Sequence, residues 1–253
     1  MVLTTFTLIL TTLIAAIVGI LIGAIGIGGV LLVPTLTYLL GLGIHVAIAT
    51  AMFTYLFSGA VGAIEYARQN SIHWSMAWWL CLGGMPGAYL GAATTWVTPG
   101  VILEGVIGLL VLLSGVQALR GPSDAAESVV NLKPMSLMVI GLVTGFGSSI
   151  TGTGGPLVLI PILIWMQVPI LTAVGLSQVI QIPIALLATT GNLTFGRIEW
   201  LIGMGIATLL VLGVVVGARI AHRVSRVALK RFIAFALLLV GAAMLVRTAA
   251  SFV

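Results

Sequence analysis

The chain has 253 residues, 60% hydrophobic and 6% charged, with a net charge of +5. Soluble domains carry roughly 25% charged residues, and ten basic plus five acidic side chains cannot coat a water-facing surface of this size. Lipid is the solvent that such a composition fits. The single cysteine, Cys81, excludes an intrachain disulfide and a cysteine zinc cluster, and is expected to be a small buried hydrophobe.

A membrane-crossing helix needs about 20 apolar residues. The first stretch, Met1 to Ala24, contains no Lys or Arg, so it reads as a retained helix and not a signal peptide. Hydrophobic segments are predicted over 3–24, 30–42, 46–67, 74–96 and 101–119. After the polar stretch from Arg120 to Lys133, five more follow over 134–150, 156–168, 170–194, 199–221 and 227–249. The expected organisation is a transmembrane repeat over 1–120, a cytoplasmic linker over 121–133 and a second transmembrane repeat over 134–253.

The two halves share a register. Gly28-Gly29 recurs as Gly154-Gly155, Ile72-His73-Trp74 as Ile198-Glu199-Trp200, Gly91-Ala92 as Gly217-Ala218, and Gly115 as Gly241. Each pair is separated by 126 positions (154 minus 28, 200 minus 74). Pro34 matches Pro161 one position out of step. In both halves the second segment is only about 13 residues long and begins at a glycine-rich stretch, too short for a full crossing. It is expected to be a half-crossing helix or part of a discontinuous one.

Loop charge gives the orientation. Arg219, His222, Arg223, Arg226, Lys230 and Arg231 surround one loop of the second half, which the positive-inside rule places in the cytoplasm. The same rule explains the basic excess better than nucleic-acid binding. The matching loop of the first half, Thr94 to Gly105, has no Lys or Arg and carries Glu104. Five crossings per half then invert the second repeat and put both termini outside, with Arg197 and Arg247 as exceptions. The expected fold is an all-α polytopic membrane protein of two inverted repeats with glycine-rich broken helices, an arrangement found in secondary transporters.

The breaks carry the chemistry. One runs from Gly23 through Gly26, Gly28 and Gly29 to Pro34, the other from Gly145 through Ser148, Ser149, Thr151, Gly152, Thr153, Gly154 and Gly155 to Pro156. Glycine costs about 1 kcal/mol in a helix interior. Pro156 suits the first turn of a new helix. A helix that starts at mid-membrane aims unpaired N–H groups and a positive dipole end into the interior, which favours an anion. The competing reading is that these glycines serve only close helix packing.

At these motifs the chain resembles the TauE/SafE family, also called the toluene-sulfonate uptake permease family. The similarity rests on the Gly26-Ile-Gly28-Gly29 to Pro34 stretch and its second copy, followed by Ile44-His45-Val-Ala47-Ile-Ala-Thr50 and Ala173-Val-Gly175-Leu-Ser177-Gln178, and it covers essentially the whole chain. The resemblance implies a permease for small sulfur-containing anions such as sulfite, sulfoacetate or other organosulfonates, multi-pass in a bacterial plasma (inner) membrane. A sulfonate stays charged and offers three acceptor oxygens, so backbone amides and hydroxyls can hold it without a buried cation.

The candidate substrate-binding residues are Gly28, Gly29 and Thr50 in the first half, and Ser148, Ser149, Thr151, Gly152, Thr153, Gly154, Gly155, Ser177, Gln178 and Gln181 in the second. Gln178 and Gln181 share a helix face and either line the pathway or bond between helices. Thr50 and Thr54 either serve the site or satisfy their own helix. Asn192 reads as a helix cap. His45 reads as a helix-end or interface residue, and Glu65 with Arg68 as a solvated pair. The six tryptophans read mostly as interface anchors.

No cofactor is expected. The expected partners are a small anion, the bilayer and a coupling H⁺ or Na⁺, with a homodimer left open. The rival function is an anion channel of the same fold, or a carrier for another small organic anion. A membrane enzyme would need a nucleophile–base pair or a metal cluster, and ATP hydrolysis a P-loop; neither pattern is present.

Overall fold

The computed structural model describes residues 5–26, 28–119, 132–220 and 226–250. Within them the chain forms α1 (Thr5–Ile25), a 3-10 turn (Gly28–Leu31) leading into α2 (Leu32–Tyr38), α3 (Ile44–Arg68), α4 (Trp74–Val97) and α5 (Gly100–Leu119). It continues with α6 (Pro134–Thr151), α7 (Pro156–Trp165), α8 (Ile170–Phe195), α9 (Trp200–Ile220) and α10 (Arg226–Ala250). Residues 121–131 of the expected linker, and His222 and Arg223, lie outside the described residues.

Helices α3, α6, α8 and α9 are each long and apolar enough to cross a bilayer. The outer surface is apolar too: Leu201 is 89% exposed, Val97 81% and Trp165 80%. In water such a surface would aggregate; in lipid it is solvated. The chain is therefore an all-α, multi-pass integral membrane protein. Trp74, Trp78, Trp165 and Trp200 stand exposed near helix ends, where indoles anchor at the membrane interface. Cys81 is only half-buried, packed against the edge of the core and not enclosed by it.

Helix starts keep the sequence register, since Ile44, Trp74 and Gly100 map onto Ile170, Trp200 and Arg226 at a displacement of 126. The packing exchanges between halves in the same way: α1 lies along α9 and α4 along α6, while α3 lies along α8 and α5 along α10. Close contacts give the directions. Gly19 approaches Leu210 and Gly23 approaches Val214, so α1 and α9 run parallel. Gly83, Gly87 and Gly91 approach Met138, Leu142 and Phe146, so α4 and α6 are parallel too. Gly59 faces Gln181 and Gly62 faces Gln178, so α3 and α8 are antiparallel. Followed through the short α3–α4 and α8–α9 connections, these contacts make α1 and α6 run in opposite directions.

Neither short helix continues the one before it. A methyl group at Gly28 would lie 2.5 Å from the Val18 carbonyl and 2.8 Å from the Ile22 nitrogen, so the chain folds back onto α1. Gly29 then lies beside Tyr55, and Val33 near Ile48 through their shared neighbour Gly152. Along α2 the numbers rise as those of α3 fall, so α2 is antiparallel to α3. Each short segment thus reverses the chain, and each half changes direction after every segment.

Two helix pairs depend on small residues. Methyl groups at Gly83, Gly87, Gly141 and Gly145 would lie 1.9–2.2 Å from carbonyl oxygens of the partner helix, and one at Gly217 2.1 Å from Ile20 O. Without Cβ atoms the backbones approach closely, as in small-xxx-small packing in membranes. Pro183 does not open α8, which runs through it unbroken. Glu65 and Arg68 pair at 3.3 Å, as expected, but only Arg68 is solvated: the Glu65 side chain is 12% exposed.

Arg68, Lys133, Arg219, Arg226, Lys230 and Arg231 fall at one end of the bundle, where α3 and α9 finish and α6 and α10 begin. Arg197 is at the other end, paired with Glu199 at 2.9 Å.

Gly87→Ala should overpack the α4–α6 seam and cost about 1–3 kcal/mol. Gly205→Ala, where a methyl meets nothing within 4 Å, should be neutral or slightly stabilising. Thermal melts in detergent compare the two, and equal melting points would refute the seam argument. In a Cys81→Ala background, Ser75→Cys should react with an impermeant maleimide only from the cytoplasmic side and Gly43→Cys only from outside; the reverse pattern would overturn the orientation.

Candidate functional site

The second break is shaped by three glycines in the left-handed backbone region. Gly152 (φ 65°) ends α6 and donates its amide to Ser148 O, which also accepts from Thr153 N at 3.1 Å. Gly154 (φ 80°) and Gly155 (φ 117°) turn the chain back toward the bundle centre, where Pro156 opens α7. An L side chain at Gly155 would be strained even with space around it.

The two breaks meet. A methyl at Gly29 would be 3.0 Å from Thr153 O, and one at Gly26 would be 3.5 Å from Pro156 Cβ. Tyr55 is wedged between them and fully buried. Its hydroxyl donates to Gly29 O at 2.5 Å, and its ring lies 2.8 Å from where a Gly154 methyl would stand. The Tyr55 carbonyl accepts from Gln181 Nε2 at 3.1 Å. Tyr55 and Gln181 are register mates, 126 positions apart, so the two halves touch at equivalent places.

The predicted site residues separate into distinct groups. Gly29, Gly152, Thr153, Gly154 and Gly155 are brought together at the meeting of the breaks, while Gly28 packs onto α1. Thr151 and Thr153 are nearby, but their protons are committed: Thr151 donates to Gly147 O at 2.7 Å and the two hydroxyls bond at 3.0 Å. Ser148 and Ser149 are fully buried, and neither hydroxyl has a partner among the described residues. Nor do the amides of Gly154, Gly155 and Leu157 donate a hydrogen bond there. The α7 start therefore presents unpaired N–H groups in a buried setting, with no N-cap side chain, and the end of α6 before it carries two unpaired hydroxyls.

The glutamines bond between helices. Gln178 Nε2 donates to Ile22 O at 3.2 Å, in the last turn of α1 before the break, and Gln181 Nε2 also reaches Ser58 Oγ at 3.0 Å. Gln178 Oε1 has no partner among the described residues. Ser177 faces Gly26 but bonds back to Val174 O at 2.7 Å. Thr50 is not at the breaks. Its hydroxyl accepts from the Glu199 amide at 3.1 Å and its methyl faces Gly203 on α9. Ile48 faces Gly152, and two residues further on, about 200° around the helix, Thr50 points the other way.

Thr54 satisfies its own helix by donating to Ala51 O at 2.7 Å. Asn192 does not cap α8 with its side chain: Oδ1 accepts from Trp96 Nε1 at 2.9 Å. His45, at the start of α3, bonds Thr98 O at 2.9 Å and stacks on Trp96. Sequence reading missed Tyr55, although pairing the singled-out Gln181 with its register mate would have found it.

Comparison with known proteins agrees with this architecture. The profile of the family described as sulfite exporter TauE/SafE matches residues 10–244. A probable membrane transporter protein of Xylella fastidiosa (strain 9a5c) is 28% identical over 204 residues, 78% of each chain. The probable membrane transporter protein YdhB of Bacillus subtilis is 26% identical, covering 87% of this chain and 93% of its own. The probable membrane transporter protein MJ0441 of Methanocaldococcus jannaschii is 26% identical over 66% of each. No solved structure matches. A profile match over nearly the whole of a multi-pass helical chain, joined by relatives named as transporters, places this protein in the TauE/SafE family of membrane transporters.

Proposed function

We propose that the protein is a secondary carrier for small sulfur-containing anions, among them sulfite, sulfoacetate and related organosulfonates, in a bacterial plasma membrane. The observation that carries this reading is the buried start of α7. Among the described residues three backbone amides there, from Gly154, Gly155 and Leu157, donate to nothing, and two buried hydroxyls in the last turn of the preceding helix, Ser148 and Ser149, have no partner. Backbone N–H groups left unpaired in a lipid-embedded interior each cost several kcal/mol, so a bound acceptor is strongly favoured. A helix N-terminus adds a positive field to those donors. An SO₃ group offers three acceptor oxygens and a full negative charge, which matches a break that holds unpaired amides and hydroxyls and no cation.

The first break contributes differently. The Gly29 carbonyl is capped by Tyr55 and no hydroxyl is present in that motif, so the anion belongs to the second half. Movement of one half against the other, around the contact where the breaks meet, would expose the site alternately to each side. Binding without a fixed cation also aids release. The 121–133 stretch serves as a tether between the two repeats.

Purified protein in proteoliposomes should take up labelled sulfite or sulfoacetate with saturation and show counterflow. Uptake without counterflow would point to a channel, and no flux of any sulfur anion would discard the substrate class. Ser148→Ala should raise KM about tenfold, equivalent to about 1.4 kcal/mol of binding. Its melting point should be unchanged or raised, because a buried hydroxyl without a partner costs about 1–3 kcal/mol. A lowered melting point with unchanged KM would make Ser148 structural.

A further inference from the structure

The repeat register adds a further anion contact, Asn192, and links it to Ser149 of the proposed site. Tyr66 maps onto Asn192 and Gly23 onto Ser149, each at 126 positions. In the first half the Tyr66 hydroxyl spans from α3 to α1 and donates to Gly23 O at 3.0 Å. In the second half the matching places on α8 and α6 hold a much shorter asparagine and a serine.

Both are fully buried and both are incompletely bonded. Ser149 Oγ has no partner among the described residues, and neither has Asn192 Nδ2. The orientation of the Asn192 amide is fixed, because Trp96 Nε1–H is purely a donor and needs the oxygen. The nitrogen is therefore the free end. One patch of α4 joins the two residues. Gly91 and Thr95 contact Ser149, with Thr95 Oγ1 3.4 Å from its carbonyl, while Ala92 contacts Gly191 and Trp96 bonds Asn192. Positions 91, 92, 95 and 96 are neighbours on one helix face.

Buried polar groups without partners are rare and call for an explanation. Here the free groups are two N–H bonds and a hydroxyl, with no acidic side chain among the buried described residues. This is donor chemistry, suited to an oxoanion. Asn192 lies near the end of α8 away from the basic loops, and Ser149 is followed within three positions by the turn that leads to the α7 start.

We propose that Asn192 Nδ2 and Ser149 Oγ bind the transported oxoanion on the side of the bundle opposite the basic loops, at the position that Tyr66 fills in the first half. The inference rests on the reading of the protein as an anion carrier. It makes the pathway asymmetric: a polar step before the α7 start in the second half, and a phenol bonded to backbone in the first.

Asn192→Asp is the discriminating variant. It keeps the oxygen that Trp96 needs and replaces only the free N–H₂. The full chain in proteoliposomes should be assayed with labelled sulfite, sulfoacetate, sulfate, phosphate and acetate. For whichever of these anions the unaltered protein carries, Asn192→Asp and Ser149→Ala should each raise KM at least tenfold, with elution profile and melting point retained. An unchanged KM in Ser149→Ala, or in a folded Asn192→Asp, would overturn the proposal and leave Asn192 as a partner of Trp96 only. Carriage of phosphate or acetate alone, still dependent on Asn192, would overturn the sulfur-anion reading while upholding this one. Carriage of none of the five would overturn both.

Discussion

Unpaired backbone in lipid is the constraint on which the rest of this structure depends. A helix satisfies its own amides and carbonyls, but a broken helix cannot, and no water reaches mid-membrane to help. This chain breaks two helices and hides both breaks against each other. Gly29 lies on Thr153, Gly26 on Pro156, and the Tyr55 hydroxyl takes the Gly29 carbonyl. Glutamines complete the cover: Gln178 takes Ile22 O and Gln181 takes Tyr55 O. Among the described residues, the amides at the start of α7 stay unpaired.

Glycine serves two purposes here, and the structure separates them. At Gly83, Gly87, Gly141 and Gly145 it removes a Cβ so that parallel helices touch backbone to backbone. At Gly152, Gly154 and Gly155 it permits positive φ, so that a helix can end and a new one begin several residues later. The packing glycines recur every four residues within long helices. The breaking glycines are crowded together and followed by proline. Both recur between halves, which is why the repeat alone could not tell them apart.

Much of the architecture was legible in the sequence because lipid imposes a simple rule on composition and length. The ten expected segments fall within a few residues of the ten helices, and the shortness of the second and seventh is real. The candidate site was legible in outline: glycine-rich breaks that come together, with the richer hydroxyl set in the second. Its detail was not. Thr151 and Thr153 look like donors in sequence, yet they are two positions apart and satisfy each other and Gly147. Thr50 sits in the right segment but on the wrong face, capping the first turn of a neighbouring helix. Faces and pairings depend on how helices pack, and periodicity is weak where nearly every residue is apolar. The fold-back of α2 was likewise hidden, since a half-crossing helix and a continuing one have the same composition.

The two halves share helix lengths and matching packing partners, with corresponding helices running in opposite directions, but not polar chemistry. Where the first half places Tyr55 and Tyr66, large side chains whose hydroxyls end on backbone carbonyls, the second places Gln181 and Asn192. Where the first half has Ile22 and Gly23, the second has Ser148 and Ser149. In each exchange the first half leaves no side-chain polar group spare, and in all four the second half leaves one spare or hands it to the other half. In the proposed carrier, halves that move against each other benefit from equal packing. The proposed anion site needs only one set of donors. Duplication supplies the first property, and divergence at a few buried positions supplies the second without disturbing the helix seams.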